Sequence, residues 1–169
     1  MWNDTEIPLA ILITFRCYGT WLHGDIRGSV DRNHNVYGSP RVGHEPPRKD
    51  FVRTIIKHEP VVLDSFRRGS VEKAIRETCS IRNWPLKALN VRTNHAHAVV
   101  AAGAKKPEIV LNALKGNATR HMRDDGLWNH EHSPWAEKGS KRMLWNERSV
   151  ANAIDYVLNG QGDDLPNFD

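Results

Sequence analysis

The stretch RTNHAHAVVAA, residues 92–102, decides how the rest of the chain is arranged. Ala96 separates His95 from His97, and the five residues that follow, 98–102, are all apolar, which is typical of an interior β-strand. In a strand, side chains two residues apart point to the same side, with Cβ atoms roughly 7 Å apart. We therefore expect the two histidines either to converge on one metal ion or to hydrogen-bond to neighbours as two half-buried side chains.

A second His-x-His pair occurs in NHEHSPW, residues 129–135. Here the middle residue is Glu131, and a Ser-Pro turn follows directly. No strand is expected in this stretch, so nothing in it orients the two side chains toward one ion. We interpret His130 and His132 as solvated loop histidines.

Hydrophobic periodicity predicts four main strands and three helices, with a further short strand. Asp64 or Ser70 is expected to cap the first helix, Ser149 to cap the last, and Gly160 to end it. The order predicts an α+β, ferredoxin-like sandwich: a mainly antiparallel sheet with helices on one face, the other face free for a site, and an extra C-terminal helix. The predicted strands are 8–22, 61–63, 86–91, 92–102 and 141–145, and the helices 70–80, 107–123 and 149–160.

Length and composition indicate one domain over residues 1–169, with a loop insertion at about 23–50 that is rich in Gly, Asn, Asp, Arg and Pro. Only two cysteines are present, without metal-site spacing, which favours a reducing, cytoplasmic setting. Neither a signal peptide nor a membrane-spanning run is expected. The net charge of +4 permits a phosphate-bearing partner without requiring one.

The C-terminal helix contains a tyrosine that does not belong to its apolar stripe. On a helical wheel, Tyr156 lies on the polar side, together with Asn152 and Asn159. Such a tyrosine is a candidate for chemistry, although it can equally be an amphipathic residue at the helix edge. Two imidazoles are an incomplete ligand set for a metal, so a third ligand from this helix is expected. The direction of Gln161 cannot be read from the wheel because the helix is predicted to end before it.

These segments together resemble a known family. NHAHAVV resembles the HUH motif of single-tyrosine HUH transposases, and AIDYVLNGQG is similar to their C-terminal tyrosine helix. Elsewhere in the chain, ITFRCYGTWLHGD, VLNALKGNATR and GSKRMLWNERSV resemble other segments of the IS200-like, REP-associated branch, in the right order. The matching segments cover roughly two thirds of the chain.

The resemblance implies a metal-dependent enzyme that cleaves and rejoins single-stranded DNA beside hairpins through a 5′-phosphotyrosine. It implies that His95 and His97 hold Mg²⁺ or Mn²⁺ and that Tyr156 is the nucleophile. It also implies a homodimer in which the tyrosine helix of one subunit can serve the histidines of the other. Many members carry Gln or Asn four residues after the tyrosine as the third ligand, but this chain has Gly160 there. We favour Gln161 as the replacement, with Asn159 as its competitor.

Basic and aromatic side chains suggest possible DNA contacts. Lys115, Thr119 and Arg123 form a row on the second helix, with Arg120 nearby, and such a row can follow phosphates or simply face solvent. Arg16 projects from the first strand, opposite the core face, and can also meet nucleic acid. The rival tyrosines are Tyr18 and Tyr37, and the tryptophans that could stack on bases are at 21, 128, 135 and 145, most of them interpreted as core or loop anchors.

Two other classes of function remain open from the sequence. A ferredoxin-like sheet with basic residues can bind single strands without cutting them, and a degenerate transposase would have this property. A metal-dependent phosphodiesterase or zinc hydrolase would need additional Asp, Glu or His ligands, and none stands at a telling spacing.

Overall fold

Four strands and three helices follow one another in the order βαββαβα. The computed structural model describes residues 6–20, 58–163 and 165. The predicted loop at 23–50, Tyr37 and Trp21 therefore lie outside the described residues. The elements are β1 (Ala10–Arg16), α1 (Ser65–Ile81), β2 (Leu86–Val91), β3 (His95–Val100), α2 (Pro107–Asp124), β4 (Ser140–Leu144) and α3 (Glu147–Asn159).

The strands form one sheet in the order β2-β3-β1-β4, and every neighbouring pair is antiparallel. Two βαβ crossovers, through α1 and α2, produce this interleaved order, which is that of a ferredoxin-like sandwich. The predicted α+β class and antiparallel sheet are confirmed. The strand that carries the two histidines is central, and its register places His97 opposite Thr14 and His95 opposite Arg16.

Strand alternation divides the apolar side chains between the two faces of the sheet. On one face, odd-numbered residues of β1 such as Ile13 and Phe15 are buried with α1 and α2 in the larger core. On the other face, Leu12 and Val99 are buried against Ala153 and Val157 of α3. The prediction of helices on one face is therefore correct for α1 and α2, and the extra helix, for which no side was predicted, packs on the other face. Thr14, Arg16, His95 and His97 continue the α3 face beyond its apolar cluster.

The first helix begins earlier than its apolar stripe predicts. It starts at Ser65, and the Asp64 side chain accepts a hydrogen bond from the Arg67 N–H, so Asp64 is the N-cap. Ser70, the other predicted cap, is buried inside the helix and donates to Asp125. The predicted cap at Ser70 is therefore wrong, because a serine with a tertiary partner can occupy a helix interior.

Three other predicted boundaries also need correction. Residues 61–63 are not a strand, and their amides bond to two separate loop segments, Val61 to Tyr18 and Leu63 to Thr93. The last helix begins at Glu147, since the Asn146 side chain caps it by accepting from the Ser149 N–H, although Gly160 ends it as predicted. Strand β1 ends at Arg16, and Cys17 forms only an isolated bridge with Trp135.

Among the helices of the described part of the chain, none is long and apolar enough to cross a membrane.

Candidate functional site

The two histidines of β3 lie side by side on the α3 face of the sheet. Their ring centroids are 4.6 Å apart, with planes inclined by 75°. His97 is buried, with 3% of its surface exposed, whereas His95 is half-buried. The two side chains thus lie on one face of the sheet, as the i, i+2 alternation of a strand predicts.

The Nδ1 atom of each ring is held by a neighbouring side chain. Thr14 Oγ1 lies 2.7 Å from His97 Nδ1, and Asn94 Oδ1 lies 2.6 Å from His95 Nδ1. An amide oxygen only accepts hydrogen bonds, so His95 Nδ1 carries a hydrogen and donates it to Asn94. Neutral His95 therefore has its lone pair on Nε2, the nitrogen that a metal ion would use.

Gln161 lies beside both imidazoles. Its Oε1 is 3.3 Å from His95 Nε2, and its side chain also hydrogen-bonds that of His97. Its Nε2 donates to the Tyr156 carbonyl oxygen over 3.0 Å, which directs Oε1 toward the histidines. An oxygen lone pair facing a nitrogen lone pair is repulsive unless a proton or a cation lies between them. The pair of atoms is therefore suited to sharing a cation.

Asn159 does not reach the site, because its Nδ2 donates to Asp155 Oδ1 over 2.8 Å on the exposed side of α3.

The structure explains why the position four residues after Tyr156 is a glycine, Gly160. A Cβ on Gly160 would lie 2.7 Å from the Tyr156 carbonyl oxygen and 3.2 Å from its ring atom Cδ2. The chain turns tightly at this glycine, and the turn brings the next residue, Gln161, back to the histidines.

Tyr156 lies next to this histidine pair. Its ring centroid is 5.4 Å from that of His97, with the planes inclined by 70°. The side chain is 46% exposed, so a large substrate can reach it. Helix α3 holds this position by packing Ala153 and Val157 on the sheet, and the Asn90 amide donates to the Val157 carbonyl oxygen.

Electrostatics keeps His97 neutral. Burial lowers its pKa to about 4, with a further lowering by the nearby His95 and Arg92, while its hydrogen bond with Gln161 raises the pKa. A histidine must be neutral to ligate a metal, so the buried ring is already in the required form near neutral pH.

The donor atoms of the site fit a divalent cation. Across the described ranges, no three His, Cys, Asp or Glu groups come together as a metal site, so a metal ion here needs the Gln161 amide oxygen. Two ligand atoms about 2.1 Å from one ion are roughly 3.0–3.4 Å apart at octahedral to tetrahedral angles. The 3.3 Å between His95 Nε2 and Gln161 Oε1 lies in that range.

The residues predicted to contact DNA lie on both faces of the sheet. Arg16 stands opposite His95, and Arg142 of β4, which the sequence did not single out, stands opposite Leu12 on the same face. Helix α2, with the predicted row, packs on the other face, away from the two histidines.

The row on α2 is engaged with its surroundings rather than simply solvated. Lys115 Nζ donates to the carbonyl oxygens of Ala136 and Lys138, and its burial lowers its pKa. Arg123 donates to the carbonyl oxygens of His130 and Glu131, and Arg120 to Asn117. Lys115 and Arg123 therefore anchor the loop that precedes β4.

As predicted, the second histidine pair, His130 and His132, does not lie in a strand. The structure nevertheless shows ring contacts of His132 that its local sequence does not predict. The ring of His132 stacks on that of His58 at 3.8 Å, and both rings lie near Tyr18. Trp128 Nε1 donates to the His132 carbonyl oxygen. Trp128 and Trp135 are buried anchors, while Trp145 is exposed. These rings join the loop before β4 to the end of β1.

A comparison with known protein families gives a match. Residues 51–157 match the family model described as "Transposase IS200 like", which is more than half of the chain. The matched range includes both histidines of β3 and Tyr156. A search of curated proteins finds no match.

Proposed function

The chain belongs to the IS200-like transposase family, and on this premise we propose that it cleaves and rejoins single-stranded DNA beside hairpins, with Tyr156 as the nucleophile. The observation that carries the proposal is the position of Tyr156, whose ring centroid is 5.4 Å from that of His97. Gln161 supports it further, because it contacts His95 and the Tyr156 backbone at once.

A phenol with a pKa near 10 is a weak nucleophile at neutral pH and needs help. A divalent ion, Mg²⁺ or Mn²⁺, bound by His95, His97 and Gln161, would polarise the scissile phosphate and stabilise the charge that develops on it. The protein holds those ligands on a central strand and at a helix end, both anchored by packing. Tyr156 projects from the same helix end, so the nucleophile and the ligands are positioned together.

In the proposed cleavage, Tyr156 Oη attacks the phosphorus atom and loses its proton to solvent. The bond between phosphorus and the 3′ oxygen breaks, and that oxygen takes up a proton as the 3′-hydroxyl leaves. The 5′ end then remains attached to the protein as a phosphotyrosine. Attack of a 3′-hydroxyl on the phosphotyrosine reverses the step and rejoins DNA, without ATP, because the phosphodiester energy is retained.

The DNA is proposed to cross the α3 face of the sheet beyond the end of the helix. Arg16 stands opposite His95 in the register, and Arg142 lies on the same face of the neighbouring strand. Guanidinium groups there can contact the phosphates on either side of the scissile one. We also propose that the protein acts as a homodimer.

The test is formation of a covalent adduct. Wild-type protein with Mn²⁺ is incubated with single-stranded DNA containing a hairpin, taken from palindromes that flank the gene, and adducts are detected on denaturing gels. We expect Tyr156→Phe to form none and Tyr18→Phe, the matched control, to form them as the wild type does.

Two outcomes would contradict the proposal. If Tyr156→Phe still cleaves the DNA, the protein is a hydrolase that does not use this tyrosine. If the wild type binds the hairpin strand but forms neither adducts nor cleavage products, it is a single-strand-binding protein that has lost catalysis.

A further inference from the structure

Two side chains outside the proposed ligand set contact the histidines directly. Thr14, on β1, meets His97 Nδ1 at 2.7 Å, and Asn94, just before β3, meets His95 Nδ1 at 2.6 Å. They come from different parts of the chain, yet they make equivalent contacts, each to the Nδ1 nitrogen of its imidazole. We propose that Thr14 and Asn94 are positioning residues that hold both imidazoles in the Nδ1–H form, with Nε2 directed to the cation site.

The tautomer matters because a neutral imidazole has one lone pair. Only the Nδ1–H form leaves Nε2 free to ligate, and a hydrogen bond from Nδ1 is what usually selects it. Asn94 Oδ1 is an acceptor, so it can select only that form of neutral His95. The hydroxyl of Thr14 can accept or donate, and it acts in this role when it accepts from His97.

The backbone at Thr14 is held from two sides, so its hydroxyl has a defined position. Thr14 pairs with His97 on one neighbouring strand and with Ser140 on the other. On the second side the approach is close: a Cβ on Gly139 would lie 2.8 Å from the Thr14 carbonyl oxygen. Because the β-branched side chain is stiff at χ1, a fixed backbone also fixes Oγ1.

Asn94 is equally well anchored in the turn between β2 and β3. Its carbonyl oxygen accepts from the Cys17 N–H over 2.8 Å, and the carbonyl oxygen of the preceding Thr93 accepts from Leu63 over 2.6 Å. The turn is thus joined to β1 and to the segment before α1. The backbone position of Asn94 is therefore set by contacts outside the metal site.

The inference rests on the proposed function only in assuming that a divalent cation binds here. Its first test needs neither metal nor DNA. Nitrogen NMR of the metal-free wild-type protein, at a pH well above the ordinary histidine pKa, reports which ring nitrogen carries the hydrogen. We expect Nδ1–H for both His95 and His97, and an Nε2–H form of either would overturn the role of its partner residue.

The second test is Mn²⁺ affinity, measured by calorimetry on folded variants. Loss of an outer partner of a ligating histidine typically weakens metal binding roughly 10–100-fold, and we expect a loss in that range for Thr14→Val and for Asn94→Ala. Thr14→Ser and Asn94→Asp keep an acceptor oxygen at the imidazole and should not show this loss. Thr78→Val, a buried threonine of α1 away from the site, is the control for a loss of hydroxyl alone.

Wild-type affinity in Thr14→Val and Asn94→Ala would overturn the inference, as would equal losses in Thr14→Ser and Thr14→Val. These outcomes can be distinguished from a failure of the proposed function. If Tyr156 forms no adduct, the tautomers and the Mn²⁺ affinities still decide the roles of Thr14 and Asn94.

Discussion

Gln161 and Tyr156 are joined by a hydrogen bond from the Gln161 side chain to the Tyr156 carbonyl oxygen, 3.0 Å long, across the last turn of α3. The same carbonyl oxygen accepts from the Gly160 N–H. Two donors thus close the end of the helix, and one of them belongs to the proposed metal ligand. The position of the proposed nucleophile and that of the ligand therefore depend on each other.

Replacing Gln161 by Ala should weaken Mn²⁺ binding roughly tenfold or more, because it removes the amide oxygen that lies 3.3 Å from His95 Nε2. Asn159→Ala is the matched control, since its amide bonds to Asp155 and should leave the affinity unchanged. Calorimetric titration with Mn²⁺ measures both. A loss in Asn159→Ala and none in Gln161→Ala would reverse the assignment.

Gly160→Ala should reduce adduct formation strongly. The added Cβ would lie 2.7 Å from the Tyr156 carbonyl oxygen, so the helix end must shift and take Tyr156 and Gln161 with it. Gly116→Ala is the control: a Cβ there meets nothing within 4 Å, and alanine in the middle of α2 should stabilise the protein by up to about 1 kcal/mol. Adduct yield and thermal unfolding are measured on both variants, and an unchanged yield in Gly160→Ala would count against the tight turn.

Mixing two inactive variants tests whether active sites are shared between subunits. In one chain the rings of Tyr156 and His97 are already 5.4 Å apart, so we expect each subunit to complete its own site. A mixture of Tyr156→Phe and His97→Ala protein should then stay inactive in the adduct assay. Recovery of activity in the mixture would show that the tyrosine of one subunit serves the histidines of another.

The stability of the protein should fall in alkaline solution because both thiols are buried. Burial raises the pKa of Cys17 from 9.0 to about 12 and that of Cys79 to about 11. The unfolded chain releases these protons first, so stability is fully present below pH 9.0 and is lost as the pH rises toward the folded values. Urea unfolding on either side of pH 9.0 should show a smaller loss for Cys17→Ala/Cys79→Ala than for the wild type.

Some of the site was predictable because local periodicity encodes it. Alternation in HAHAVV places His95 and His97 on one side of a strand, and the helical wheel places Tyr156 off the apolar stripe of α3. The helix and strand boundaries were less predictable, since the caps at Asp64 and Asn146 compete with nearby serines of equal capping propensity.

The sequence by itself determined the order of the elements, the antiparallel ferredoxin-like class and the placement of the two histidines on one face of a strand, because these follow from the periodicity of apolar residues. Only the tertiary structure placed the amide of Gln161, and not that of Asn159, against the histidines, since this depends on a turn at Gly160 packed against Tyr156. Only the tertiary structure brought Thr14 to His97, which is 83 residues further along the chain. A local pattern specifies the face on which a side chain lies, and the register of strands distant in sequence specifies what it meets there.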